Sequence, residues 1–338
     1  MQNLKEYIAK VFGNKTLSKD EANRAFDIMV SGDATPAQMS AFLSALRLRG
    51  ETVEEIIGAA EAMRKKMTHV NAPRDAIDIV GTGGDAHGTF NISTATALVV
   101  AGTGVPVAKH GNRAFSSLSG AADVLAALGV DLEAKKELVE KSIAEAKIGF
   151  LMAPIYHSAM RHVGPTRAEI GIRTIFNILG PMCNPASVKY LLVGTYDLKW
   201  LVPMAETLSG LGVRRAWVVH GNDGMDELTT TGTSEVAQLV DGNISTLEVS
   251  PRDAGLPSTD IDKLKGGSPE ENAKAIRDLL EGAKGPYRDI VLFNSSAALV
   301  VAEKVADLKE GVEVAADSID SGKAKDALTK LLMNTGKS

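Results

Sequence analysis

Cysteine is nearly absent: Cys183 stands alone in 338 residues. That excludes a disulfide framework within the chain and a zinc cluster built on cysteines, and leaves a small apolar core side chain as its expected role. Aromatic residues make up only 4%, too few to favour a stacking platform for single-stranded nucleic acid. A net charge of −5 offers no general attraction to nucleic acid or to an anionic membrane, so any basic site has to be local. Neither is expected as a partner. No stretch approaches the roughly 18 apolar residues of a membrane helix. The start, Met1-Gln2-Asn3-Leu4-Lys5-Glu6, lacks the basic and apolar regions of a secretory signal. The expectation is a soluble, reduced, cytoplasmic protein. Its 44% hydrophobic and 23% charged residues are ordinary for a globular chain.

What is present falls into two grammars. Up to about residue 72 the pattern is helical, with three plainly written starts. Ser18-Lys19-Asp20-Glu21 is a capping box, Thr35-Pro36-Ala37-Gln38 adds proline at the first helical position, and Thr52-Val53-Glu54-Glu55 starts the next helix. From Pro73 onward, apolar strand candidates at 76–80, 105–109, 148–152, 190–195, 215–220 and 289–294 alternate with helical patterns at 119–128, 134–146, 197–210 and 295–305. A further capping box starts at Ser268, and residues 235–249, around Asp241-Gly242-Asn243, read as a hairpin. The fold class expected is α/β. A small all-helical N-terminal domain, residues 1–72 joined by helices from about 155–190, precedes a large domain, 73–338. The large domain carries a mostly parallel central sheet covered by helices.

Four stretches carry chemistry. In "DIVGTGGDAHGTFNIST", 78–94, a strand ends on Gly81, Gly83 and Gly84, followed by Asp85 and the polar groups of Thr89, Asn91, Ser93 and Thr94. Glycines let backbone N–H groups approach a ligand closely, and amides beside a helix start favour an anion such as phosphate. Ser93 or Asp85 could also touch a metal. The spacing matches neither the dinucleotide fingerprint nor a P-loop. In "VAKHGNRAFSSLSG", 107–120, Lys109, His110 and Arg113 supply charge, while Gly111, Ser116 and Ser117 lie in a donor-rich loop. A lysine point charge with an arginine fork suits a polyanion. In "VVHGNDGMDELT", 218–229, Asp223, Asp226 and Glu227 are of the type that holds Mg²⁺ against substrate phosphates. In "HVGPTRAEIGIRTIFNILGPMCNP", 162–185, Arg167 and Arg173 sit among glycine-proline breaks, and either could pair a carboxylate or serve a structural ion pair.

In order and spacing, "GTGGD" with "NIST", "KHGNR" with "SS" and "SGAADVLAALG", "LGP" with "NP", and "DGMDE" resemble the anthranilate phosphoribosyltransferase family from about residue 5 to 335. The resemblance implies transfer of a 5-phosphoribosyl group from 5-phosphoribosyl-1-diphosphate (PRPP) to the amine of anthranilate, with pyrophosphate released and Mg²⁺ as cofactor. It also implies a homodimer formed through the helical domain. It assigns to PRPP Gly81, Gly84, Asp85, Thr89, Asn91, Ile92, Ser93, Thr94 and Ala121, together with Lys109, His110, Gly111, Asn112, Arg113, Ala114, Phe115, Ser116 and Ser117. Gly81, Asn112, His157, Arg167 and Pro181 fall to anthranilate, Ser93, Asp226 and Glu227 to the metal, and Lys109, His110 and Arg113 to catalysis. Leu118 departs from the pattern, standing where a basic residue is expected. Phe115 is bulkier than usual, and Ala86 and Ala121 replace a glycine and a serine.

Overall fold

The computed structural model describes residues 3–84, 87–113 and 118–336. Four helices open the chain: α1 (Leu4–Phe12), α2 (Lys19–Val30), α3 (Pro36–Arg49) and α4 (Val53–Lys66). Ser18, Thr35 and Thr52 each accept the backbone N–H three residues on, and Glu21, Gln38 and Glu55 reach back in return. At Thr52 the local cap becomes a tertiary joint. Glu55 is fully buried, accepts from Leu17 N at 2.8 Å and pairs with Arg49, so α4 is tied to the loop before α2. Phe26 of α2 packs edge-on against Phe42 of α3 and Phe176, at 5.7 and 5.6 Å between ring centroids. The main chain joins the same regions: Thr68 N donates to Tyr156 O at 2.8 Å, and Val70 N to Pro185 O at 3.1 Å.

Among the described residues seven strands form one sheet: β1 (Ile77–Gly81), β2 (Val107–Gly111), β3 (Ile148–Met152), β4 (Tyr190–Gly194), β5 (Arg215–Gly221), β6 (Ser234–Val240) and β7 (Asn243–Val249). Their order is β3-β2-β1-β4-β5-β6-β7. The first five are parallel, and β6 and β7 add an antiparallel ribbon. The β6–β7 turn holds Asp241 at φ 47° and Gly242 at φ 87°, the left-handed pair that a two-residue hairpin favours. The chain runs outward from β1 through β2 to β3, then returns to lay β4 on the other side of β1. Such a reversal opens a crevice at the carboxyl ends of the strands.

Period-two alternation assigns the faces. Ala108, Leu151, Leu191, Val193 and Val218 share one core with α1–α4 and residues 175–183. Ile77, Ile79, Val107, Phe150, Leu192 and Val219 share the other with α5 (Ile92–Gly102), α6 (Ala121–Leu128) and the C-terminal helices. The architecture is the expected one, except at 289–294. That run is not a strand; it lies inside the helix Pro286–Val301. The helix is buried nearly all round, including Ile290, Val291, Leu292 and Phe293, so no amphipathic period marks it and a continuous apolar run reads equally well as a buried strand.

Candidate active site

The carboxyl ends of β1, β2, β4 and β5 meet at the crevice. On β2, Lys109 and His110 point to opposite faces of the sheet. Lys109, 2% exposed, turns toward α5 and donates from Nζ to the Ile79 carbonyl at 2.6 Å and to Ser93 Oγ at 3.2 Å. Burial pulls its ammonium below the ordinary lysine range, while the charges of Asp78 and then Glu227 pull it back up. A buried cation with, among the described residues, one carbonyl and one hydroxyl as hydrogen-bond acceptors retains capacity for an anion.

The register pair Gly81↔Gly194 closes β1 and β4. A Cβ on either glycine would collide with Asp226: with its carboxylate from Gly81, with its backbone carbonyl from Gly194. These two bare positions let the loop after β5 lie across the strand ends, where Asp226 Oδ2 accepts from Gly83 N at 2.7 Å. Gly83 and Gly84 both have positive φ, 69° and 81°, so the glycines here are conformational requirements. Of the acidic trio, Asp223 is engaged within its own loop: it accepts from the hydroxyls of Thr229 and Thr231, each at 2.6 Å, and from Met225 N.

On the other face, His110 and His157 lie with ring centroids 5.1 Å apart. Among the described residues, His110 Nε2 and both ring nitrogens of His157 have no hydrogen-bond partner in ordinary geometry. Burial, with the neighbouring His157, pushes His110 down to about 3 against a weaker opposing pull from the Gly180 backbone. Burial takes His157 down to about 4, opposed by the Cys183 backbone. Both rings are neutral at physiological pH. Asp78 supports this side: it accepts from His110 N at 3.1 Å and from Asn184 Nδ2 at 2.7 Å, and the same Asn184 amide donates to the Ala108 carbonyl at 2.8 Å. Burial raises Asp78 to about 6 against the opposing pull of Lys109 and these hydrogen bonds. Arg167 stands over the Phe176 ring at 5.1 Å, and Pro181 opens a short 3₁₀ turn, Pro181–Cys183.

The remaining candidates are placed unevenly. Asn91 accepts from Ser119 Oγ and Asn272 Nδ2 and donates to the Ser119 carbonyl, so its side chain links three segments. Thr89 pairs with Lys265 as an isolated bridge. Ile92 packs into a small cluster with Met225, Leu264 and Ile290, and its backbone N–H goes to the Phe90 carbonyl. Thr94 Oγ1 is buried without a partner among the described residues. Asn112 Oδ1 accepts from Arg113 N, and the Arg113 guanidinium pairs with Asp123 at 2.9 Å. Gly111 ends β2 and faces Ala121, the first residue of α6. Asp85, Ala86, Ala114, Phe115, Ser116 and Ser117 lie outside the described residues. Leu118 is 74% exposed.

Residues 5–67 match the helical bundle domain of the glycosyl transferase family, and residues 73–325 match that family's a/b domain. Anthranilate phosphoribosyltransferase from Parvibaculum lavamentivorans is 58% identical over 335 residues, covering 99% of this chain and 98% of its own; that of Rhodopseudomonas palustris is 57% identical over 332 residues, 98% of each. The chain belongs to the anthranilate phosphoribosyltransferase family. It is thus an enzyme of the pentosyl-transferring glycosyltransferases. Solved structures agree. The Thermus thermophilus family member superposes with a TM-score of 0.92 at 44% identity, over 97% of this chain and 98% of that one. The Saccharomyces cerevisiae member, in complex with PRPP and Mg, gives 0.90 at 30% identity, over 98% and 97%.

The donors at the crevice suit a hard cation: the Ser93 hydroxyl and the carboxylates of Asp226 and Glu227 are all oxygen. Among the described residues no three His, Cys, Asp or Glu side chains converge as a metal cage. That fits Mg²⁺, which takes one or two carboxylates and completes its shell from water and substrate phosphates. It does not fit a closed zinc site. Several residues of the arrangement escape a linear reading. Asp78 had a signal, a lone carboxylate in an apolar strand. Asn272, within a helix, and Tyr287, whose ring lies 4.6 Å from that of Phe90, had none.

Proposed function

We propose that the enzyme transfers the 5-phosphoribosyl group of PRPP to the amine of anthranilate, an early step of tryptophan biosynthesis. The observation that carries this reading is the partition at the end of β2. A buried ammonium donates to the Ser93 hydroxyl on one side of the sheet and feels the charge of Glu227, and an uncharged histidine pair faces the other. One compartment suits a diphosphate and the other an aromatic acid.

The amine nitrogen forms a bond to C1 of the ribose as the C1–O bond to the diphosphate breaks, and the nitrogen then loses a proton to solvent. Pyrophosphate leaves with the bonding pair, so the demand on the protein is to stabilise a departing polyanion and an oxocarbenium-like sugar. Lys109, Arg113 and loop amides supply that stabilisation without a covalent nucleophile. Ser93, Asp226 and Glu227 would hold Mg²⁺, whose contribution is positive charge against the diphosphate. Arg167 orients the acceptor through its carboxylate, a bidentate pairing, with Gly81, Asn112, His110, His157 and Pro181 bordering the ring. Because an aryl amine needs little deprotonation before attack, position counts for more than a strong base.

In this reading the chain divides into a helical domain, residues 1–72 with helices from about 155–190, and the α/β domain, 73–338. The Phe26–Phe42–Phe176 cluster supports that grouping. A homodimer through the helical domain, in the cytoplasm, completes the proposal. Exposed Leu48 and Phe12 on α3 and α1, at 91% and 67%, support the surface; no described helix is long and apolar enough to cross a membrane.

The test follows anthranilate fluorescence after adding PRPP and Mg²⁺, with EDTA as the control. Loss of signal that requires both additions is expected. A folded, pure sample that leaves anthranilate unchanged would overturn the reading.

A further inference from the structure

Arg173 is absorbed by none of the roles above, and among the described residues it finds no carboxylate. From the segment between the helices Gly164–Ile170 and Phe176–Leu179, its Nη2 donates to the Gly84 carbonyl, 89 residues away in sequence. The guanidinium also lies 4.1 Å from the centroid of the Tyr196 ring. Tyr196 is held on both sides: its backbone N–H donates to Thr82 Oγ1 at 3.1 Å, and its hydroxyl accepts from Trp200 Nε1 at 3.3 Å. Thr82 N donates in turn to the Gly194 carbonyl. The arginine therefore bridges the end of the glycine turn and the aromatic residue just beyond β4.

We propose that Arg173 is a positioning residue that couples the two substrate sites. The inference rests on the assignment of the glycine turn to the diphosphate and of Arg167 to the acceptor. Arg173 sits six residues after Arg167 and three before Phe176, the ring beneath Arg167. A ligand that orders Arg167 orders the backbone from which Arg173 reaches the glycine turn. Arg173 also keeps the partially negative Gly84 carbonyl on a cation and thereby away from an incoming anion. Stacking on Tyr196 gives the guanidinium a fixed plane, which a lysine in its place would lack. Coupling of this kind is reciprocal: whatever factor the acceptor adds to diphosphate affinity, the diphosphate adds to acceptor affinity.

The experiment is a matrix of initial rates over PRPP and anthranilate concentrations at fixed Mg²⁺, for the parent, Arg173→Gln, Arg173→Lys and Tyr196→Leu. The interaction factor between the substrates is expected to be about fivefold or more in the parent, to fall to within about twofold of unity in Arg173→Gln, and to be intermediate in Arg173→Lys. It should decline further than kcat does. Tyr196→Leu, which removes the ring but not the arginine, should lower the factor as well and carries the test should Arg173→Gln fail to fold. A merely structural residue would lower kcat or stability and leave the factor intact; that result overturns the proposal, as does a factor near unity in an active parent. A folded parent with no turnover would instead remove the functional reading on which the coupling rests.

Discussion

Replacing Gly194 by alanine places a methyl group against the backbone of Asp226. The new Cβ would overlap the Asp226 carbonyl and come within 3.1 Å of its Cα. Ordinary carbon–carbonyl separations are about 3.3–3.6 Å, so residue 226 has to retreat by roughly 2 Å. Overpacking of this kind costs about 1–3 kcal/mol. The retreat also breaks the hydrogen bond from Gly83 N to the carboxylate, worth about 1.5–3 kcal/mol for a charged acceptor. The total is roughly 2.5–6 kcal/mol, or a melting point lower by about 5–12 °C at about 2 °C per kcal/mol. Gly81→Ala differs in kind, because its Cβ meets the carboxylate end of Asp226, which can rotate away. Only the hydrogen bond is then lost, about 3–6 °C on the same scale. Both variants displace a carboxylate assigned to the metal, so both should raise the Mg²⁺ concentration for half-maximal turnover by about tenfold or more. Thermal melts and Mg²⁺ titrations of the two variants decide the matter. A Gly194→Ala protein that melts within about 1 °C of the parent with an unchanged Mg²⁺ requirement refutes the packing argument, and so does a larger loss of stability in Gly81→Ala.

Lys109→Met should lower kcat/KM by about 10²–10³, the usual effect of deleting a preorganised electrostatic group; a change under about threefold would mean that the ammonium does not meet the diphosphate. Acid should destabilise the protein through the histidine pair. With folded pKa values of about 3 and about 4, the two rings refuse protons that the unfolded chain accepts below about pH 6.5, so stability falls from there toward pH 4. Asp78, raised to about 6, opposes this between about pH 6 and 4, but two rings outweigh one carboxyl. His157→Phe should flatten the acid slope by up to roughly 3 kcal/mol at pH 4, as read by urea denaturation at stepped pH, and an unchanged slope would place the acid sensitivity elsewhere. Leu118→Lys should lower the KM for PRPP by restoring a cation at an exposed position; equal Michaelis constants would show that the missing charge is immaterial.

What could be read without coordinates was what is local. The helix starts at Ser18, Thr35, Thr52 and Ser268 all form, because cap and partner lie three residues apart and need nothing from the rest of the chain. The Asp241-Gly242 turn forms for the same reason. Strands β1 to β5 were visible as apolar runs between breakers. The helix Pro286–Val301 was not, because complete burial erases the periodicity by which a helix is recognised. At the crevice, Lys109, His110 and the Asp226-Glu227 pair stood out as candidates by residue type. Their supports did not. Asp78 and Asn184 are 106 residues apart, and Asn91 and Asn272 are 181 apart; no short-range pattern encodes either pairing. Asp223 shows the same limit: beside two other carboxylates it reads as one of a group, and only the fold shows the hydroxyls of Thr229 and Thr231 donating to it.

Strand parity at β2 has a consequence for how such an enzyme can be altered. Consecutive residues, Lys109 and His110, serve opposite compartments only because a strand alternates its side chains. Substitutions around His157 can therefore reshape the surroundings of the imidazole pair while leaving the ammonium where it is. A deletion of one residue between Val107 and Lys109 would do the reverse. It would invert the strand end, exchanging the sides of the sheet on which the imidazole and the ammonium lie. Length at this position is thus a stricter constraint than side-chain identity.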